Sequence, residues 1–316
     1  MTRTIRTAVT GIFFMLLALF LVSCGNASAG NGSQGACTTT TDAAFNACGY
    51  EVDDDYWIAL GNCANLANAA ARSGCEKEAR EERKSGKEDC RDQRDAREEI
   101  CEAINEDPYD PVIDPGDFLD KNGIIANPNP WFPLIPGTTW VYEGGDETIT
   151  VTVTNDTKEI LGVTCIVVRD VVEEDGDVIE DTVDWYAQDI DGNVWYFGEI
   201  SQEFEDGELI SLDGSWKAGV DGAKAGIIMK ANPQKGDVYR QEFALGEAED
   251  MGEVLDVNGS ASVPAASCSG TCVITRDWTP LEPDGEENKY YAPGIGAILE
   301  VNPDTGERVE LVEFIP

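Results

Sequence analysis

From residue 131 onward, apolar and polar positions alternate with a period of two. Ile149, Val151 and Val153 interleave with Thr148, Thr150, Thr152 and Thr154. Val183, Trp185 and Ala187 interleave with Thr182, Asp184 and Tyr186. Such alternation predicts strands with one buried face. The run 163–172 is more continuously apolar, and further strands are expected at 194–204, 236–243, 272–278, 290–301 and 308–314. Asp-Gly pairs at 175–176, 191–192, 206–207 and 284–285, with Thr305-Gly306, supply the positive dihedrals of tight hairpins. No long helical pattern interrupts them. Residues 129–316 therefore read as an antiparallel all-β meander of about ten strands, a curved sheet or barrel.

Between 37 and 104 the pattern is set by cysteine. Cys37, Cys48, Cys63, Cys75, Cys90 and Cys101 are separated by 11, 15, 12, 15 and 11 residues, the same sequence in either direction. Facing residues on two antiparallel helices keep a constant index sum, and 37 with 101, 48 with 90 and 63 with 75 share one. At roughly 3.6 residues per turn, the gaps of 11 and 15 put three cysteines on one face of each arm. The arms are expected at 42–70 and 76–104. A threonine run ending at Asp42 suits a helix start, and Arg72-Ser73-Gly74 suits the turn. Glu76 with Arg80, Arg91 with Asp95 and Arg94 with Glu98 sit four apart on an exposed face. The spacing predicts nested bridges Cys37–Cys101, Cys48–Cys90 and Cys63–Cys75. A shared metal cage is the alternative, but cysteines spread along helices do not converge on one ion. The outline resembles twin-cysteine helical hairpins, with different gaps and no function implied. The whole is an α+β multi-domain plan: a disulfide-stapled helical hairpin followed by a β-domain.

Arg3 and Arg6 precede an apolar segment, 8–22, that is too short to span a bilayer and suits a signal peptide core. Leu21-Val22-Ser23-Cys24 closes it and resembles the bacterial lipobox. That resemblance implies a signal peptide over 1–23, cleavage before Cys24, and acylation of Cys24 by palmitate-type chains. An ordinary secretory signal with an incidental cysteine is the bland alternative. Gly25 follows where an aspartate in enteric bacteria retains lipoproteins in the inner membrane, so the resemblance implies the outer membrane, on either face. Residues 24–36 read as a flexible tether and 105–128, with Asp-Pro at 107–108, 110–111 and 114–115, as an extended acidic linker.

The 316 residues carry a formal charge of -39 and no histidine. Residues 105–316 hold 45 acidic and 11 basic residues, a net of -34. Nucleic acid is excluded as a partner, because phosphate binding needs basic clusters. Without imidazole there is no Ser-His-Asp or Cys-His nucleophile system and no zinc hydrolase site built on histidines. What remains is carboxylate, tyrosine, lysine or thiol chemistry, and among 61 carboxylates no catalytic pair stands out. The expectation is a non-enzymatic protein with no cofactor and no resident metal, its acidity a solvated surface.

Trp185, Trp195, Tyr196, Phe197 and Trp216 are the candidate ligand-lining set, though aromatics on neighbouring strands also build cores. Asp189-Ile190-Asp191-Gly192-Asn193 begins like a calcium loop but lacks the later bidentate glutamate, so a hairpin turn is favoured. Glycines at 214, 219, 222 and 226 suggest a mobile flap at the barrel mouth. Of the remaining cysteines, Cys268–Cys272 is the local bridge with Cys165 free; Cys165–Cys272 is the alternative if those strands are neighbours.

Three segments carry a resemblance to a family of uncharacterised bacterial secreted and lipid-anchored β-domain proteins. They are Asn129-Pro130-Trp131-Phe132-Pro133-Leu134 running on to Pro136-Gly137-Thr138-Thr139-Trp140-Val141-Tyr142; Asp184-Trp185-Tyr186-Ala187-Gln188-Asp189 with the following Asp-Gly-Asn turn; and Tyr290-Tyr291-Ala292-Pro293-Gly294-Ile295-Gly296. The resemblance covers 129–316, not the hairpin, and implies a fold only. The pattern is also loosely similar to the half-open barrels of lipoprotein carriers, which implies a concave face for an apolar or lipid-like ligand. The expected partners are a membrane through the anchor and either such a ligand or an envelope protein docked on the hairpin.

Overall fold

The computed structural model describes residues Gly35–Pro316, which form one compact unit. The signal segment 1–23, Cys24 and nearly all of the tether lie outside the described residues.

Two helices, α1 (Ala36–Ala64) and α2 (Ala69–Ile104), form the hairpin. Cys37–Cys101, Cys48–Cys90 and Cys63–Cys75 staple it, with Cα separations of 5.6, 5.8 and 5.6 Å. This is the nested pairing that the palindrome predicts. α1 buries only Cys37, Thr41, Ala44 and Cys63. With so little apolar area the helices have almost no core of their own, and bridges worth roughly 2–4 kcal/mol each replace it. The turn is at 65–68, earlier than the expected Arg72-Ser73-Gly74, which is helical. Asn68 explains the shift: its side chain accepts from Ala70 N and Ala71 N, capping α2. α1 starts at Ala36 rather than Asp42. Its first amide donates to the Glu106 carbonyl, and the Glu106 carboxylate accepts from the Thr38 amide and hydroxyl. The i,i+4 pairs Glu76–Arg80 and Arg94–Glu98 form at 3.9 and 3.0 Å; among the described ion pairs Arg91–Asp95 does not.

The β-region contains, in chain order, β1 (Thr139–Gly144), β2 (Glu147–Ile160), β3 (Val163–Glu174), β4 (Asp177–Gln188), β5 (Val194–Ile200), β6 (Glu203–Glu205), β7 (Glu208–Ser211) and β8 (Trp216–Lys217). It continues with β9 (Lys224–Met229), β10 (Val238–Arg240), β11 (Glu242–Phe243), β12 (Met251–Ser262), β13 (Ser267–Trp278), β14 (Glu286–Ala292), β15 (Gly296–Val301) and β16 (Arg308–Ile315). Thirteen strands follow one antiparallel path: β10-β12-β13-β14-β15-β16-β1-β2-β3-β4-β5-β9-β11. Its two end strands are separated in the chain by Gln241 alone, so the sheet is nearly closed and barrel-like. The Asp250 carbonyl accepts from the amides of Gln241 and Glu242 at this junction. The 236–243 strand is therefore split across both edges. The sequence pattern does not predict β12. Three register shifts along its pairing with β13 break the period-two pattern on which recognition depends.

The segment 105–128 is not a spacer standing clear of the sheet. Tyr109 donates its hydroxyl to the Ala225 carbonyl, Leu119 N donates to Gln188 O, and Ile190 N donates to Asp117 O. A short helix, α3 (Lys121–Ala126), buries Ile124 completely. The glycine-rich 214–226 segment is likewise not a mobile flap. It carries β8 and the start of β9, and Trp216, Ala218, Ala223 and Ala225 are buried. At Gly226 any side chain would overlap the Gln241 carbonyl, so the glycine permits close strand packing.

Candidate functional site

In an antiparallel sheet, directly opposed residues share a face. Trp140 opposes Val151, which opposes Asp170, which opposes Thr182. Val153 opposes Val168, then Asp184, then Glu199; Tyr186 opposes Tyr196. All therefore share one face. The Glu300 carboxylate on β15 is near enough to Asp170 on β3 to help push its carboxyl up. They lie four strands apart in the sheet order, about 19 Å along a flat sheet. They interact because the sheet curls, so this face is the inward one.

One end of the inward face is apolar. Phe132, Leu134, Trp140, Tyr142, Val153 and Val168 line a recess of about 70 Å³. Trp140 Nε1 donates to Ile295 O at 2.8 Å and Tyr142 OH to Ala297 O at 3.0 Å. The polar atoms of both rings are thus tied to backbone, and their carbon faces are left to the recess.

The other end is acidic. Glu147, Glu174, Glu287, Glu300, Glu307 and Arg308 line a cleft of about 420 Å³. Lys289 lies behind it, 3.7 Å from both Glu287 and Glu300 and 3.8 Å from Asp277. Glu300 above all holds the Lys289 ammonium well above its ordinary range. Lys289 and Glu300 are deeply set, yet their side chains keep 27% and 26% of their surface accessible. They line a space that water enters.

Between the ends stand carboxylates that burial makes harder to ionise. Burial, reinforced by Asp184 and Glu180, pushes Asp170 up to about 8. Burial with Glu199 pushes Asp184 to about 7, and burial does the same to Glu199. Tyr196 OH lies 2.6 Å from Asp184 Oδ1 and 2.8 Å from Glu199 Oε2. One phenol has one proton to donate, so both contacts are hydrogen bonds only when one acid is protonated. Burial also raises Glu242; the Trp216 indole N–H pulls it partly back without closing a hydrogen bond. Asp277 Oδ1, Thr275 Oγ1, Tyr239 OH and Glu242 Oε2 are buried without any protein partner.

The five expected ligand-lining residues do not converge on one cavity, and none lines the apolar recess. Trp185, Trp195 and Phe197 alternate onto the outer face, because Tyr186 and Tyr196 take the inner one. Phe118 of the 105–128 strip packs on Trp195 and Phe197 at 6.0 and 5.5 Å between ring centroids. Trp195 Nε1 donates to Asp189, and Lys158 lies over Trp185. Trp216 faces inward, but edge-on against Tyr196 in the core. Asp189 also accepts from Asn193 N and Nδ2, which closes 189–193 as a hairpin turn. Cys268 and Cys272 are bridged, and Cys165 is the unpaired cysteine among the described residues, its thiol pushed up to about 12 by burial. Among the described residues, no three His, Cys, Asp or Glu groups converge as metal ligands, and no helix is long and apolar enough to cross a membrane.

No known protein family, curated protein or solved structure matches the chain.

Proposed function

We propose that the chain is a lipid-anchored outer-membrane lipoprotein and a non-enzymatic binding module, whose sheet takes an apolar or lipid-like ligand. The observation that carries the binding reading is the apolar recess lined by Trp140, Tyr142 and Val168 on the inward face, with the partly exposed Lys289 and Glu300 further along that face. A cavity of ~150 Å³ admits benzene, so about 70 Å³ suits the end of an alkyl chain and not a whole one. The lipobox-like Leu21-Val22-Ser23-Cys24 supports the anchor, and four disulfide bridges fit an oxidising compartment. Native mass spectrometry of the gently purified protein is expected to show a co-purified small amphiphile. A protein that binds no alkyl compound and quenches no Trp140 fluorescence contradicts the reading. For the anchor, Cys24→Ala is expected to abolish labelled-palmitate incorporation; an unlabelled parent protein removes it.

A second reading is a structural or assembly protein docked through the hairpin. It is favoured by the exposed aromatic patch on α1, where Tyr50 and Trp57 are 74% and 66% accessible. Photo-crosslinking from position 57 that captures no envelope protein opposes it.

A further inference from the structure

We infer that the ligand is a cationic amphiphile, with its amine head in the acidic cleft and its apolar tail in the recess. This rests on the binding reading above and names the ligand class.

The two ends belong to one continuous surface. Along β1 the inward residues run Trp140, Tyr142, Gly144; along β2, Val153, Val151, Ile149, Glu147; along β3, Val168, Asp170, Val172, Glu174. In every case the recess residues come at one end and the cleft residues at the other. Two-residue steps of roughly 6.8 Å separate the tiers, so Trp140 and Gly144 are about 14 Å apart along the strand. Tyr142 is the hinge between the two environments, with its ring on the recess and its hydroxyl within the field of Glu300, Asp170 and Lys289.

The cleft is built for positive charge. Glu147, Glu174, Glu287, Glu300 and Glu307 face Arg308 alone on its walls, with Asp146 at the rim. Behind them Asp277, 9% exposed, keeps Oδ1 without a partner. Thr275, beside it on the same face of β13, keeps its hydroxyl unpaired. Lys289 meets Glu287, Glu300 and Asp277 only at 3.7–3.8 Å, longer than a direct hydrogen bond. Acceptors in excess of donors suit an ammonium, which brings up to three N–H groups and no acceptor. An anionic head meets the reverse situation and is repelled. A bare metal ion is a poorer fit, since among the described residues no three ligands converge.

The test compares decylamine, decanol and decanoate binding to the purified full chain by calorimetry at pH 7 and low salt. Decylamine is expected to bind at least about tenfold more tightly than decanol, with decanoate weakest, and the gap is expected to narrow in 0.5 M NaCl as screening sets in. The rim variant Glu147→Gln/Glu287→Gln removes charge without touching the core. It is expected to lose most of the amine's advantage over decanol. Equal binding of decanol and decylamine overturns the cationic head and leaves the binding module standing. No binding of any of the three overturns both. An amine advantage that survives in the rim variant overturns the cleft as the head site.

Discussion

Arg97 on α2 and Glu249, in the loop before β12, form a bidentate ion pair at 2.9 and 2.7 Å, buried between hairpin and sheet. Glu249 Oε1 also accepts from Gly246 N, which fixes the loop that presents it. With the bond from Gln93 Nε2 to Leu281 O, this pair fastens the two parts together. Arg97→Ala leaves a buried carboxylate without its partner. It is expected to cost about 3–5 kcal/mol in urea unfolding. The double variant Arg97→Met/Glu249→Leu is expected to recover most of that loss. A single variant within about 1 kcal/mol of the parent shows that the pair fastens nothing.

The hairpin depends on sulfur. Cys48→Ala/Cys90→Ala is expected to lose roughly 2–4 kcal/mol, with the loss read on the helical circular dichroism signal. Mild reduction is expected to melt α1 and α2 ahead of the sheet, whose strands stay paired by their backbone ladder. Retention of full helicity in reductant contradicts the small-core account of α1.

Stability is expected to fall as pH rises from the acidic range to about 8. Asp170, Asp184 and Glu199 have ordinary values of 3.8, 3.8 and 4.5 and stand at about 8, 7 and 7 in the fold, chiefly through burial. The folded state therefore keeps protons that the unfolded chain has released above about pH 4.5, so stability declines from there until these groups ionise at about 7 to 8 and levels off beyond. For a chain of this size ~1 kcal/mol moves Tm by about 2–4 °C. A drop of at least that size is expected between pH 5.5 and 8.5. Asp184→Asn, neutral at every pH, is expected to flatten the slope. A Tm that rises over this range refutes the assignment.

Gly226→Ala tests the closure of the sheet. A methyl there meets the Gln241 carbonyl and the Arg240 carbonyl, both backbone groups that cannot rotate away. The expected cost is about 1–3 kcal/mol. Faster hydrogen exchange is expected at the Gln241 and Glu242 amides, with little change in α1. Unchanged exchange there shows that the two edges do not depend on this contact.

The architecture was legible because its signals are periodic. The cysteine spacing carries the pairing by arithmetic, and the Thr148 to Thr154 alternation carries β2. Asp175 and Gly176, with φ of 54° and 89°, form the tight turn that their identities suggest. The interior was not legible, for a physical reason. On β4 the apolar series Val183, Trp185, Ala187 looks like the buried face. Yet both faces are covered there, and Thr182, Asp184 and Tyr186 are the ones turned inward. Alternation identifies a buried face only where the other face is wet. An acidic residue between apolar ones, as in Val168-Arg169-Asp170-Val171-Val172, was the available clue to a polar interior. Nothing local marked Glu300 or Lys289, because their proximity to Asp170 arises from the curl of the whole sheet.

The junction at Gln241 has a further consequence. An antiparallel sheet with two free rims offers unpaired amides and carbonyls to any neighbouring strand, and that is how polymers and amyloid begin. Here the terminal strands are three-residue and two-residue pieces, adjacent in the chain and bound to the same Asp250 carbonyl side. At this junction, therefore, the two end strands themselves leave only a few residues of rim for a second copy to extend.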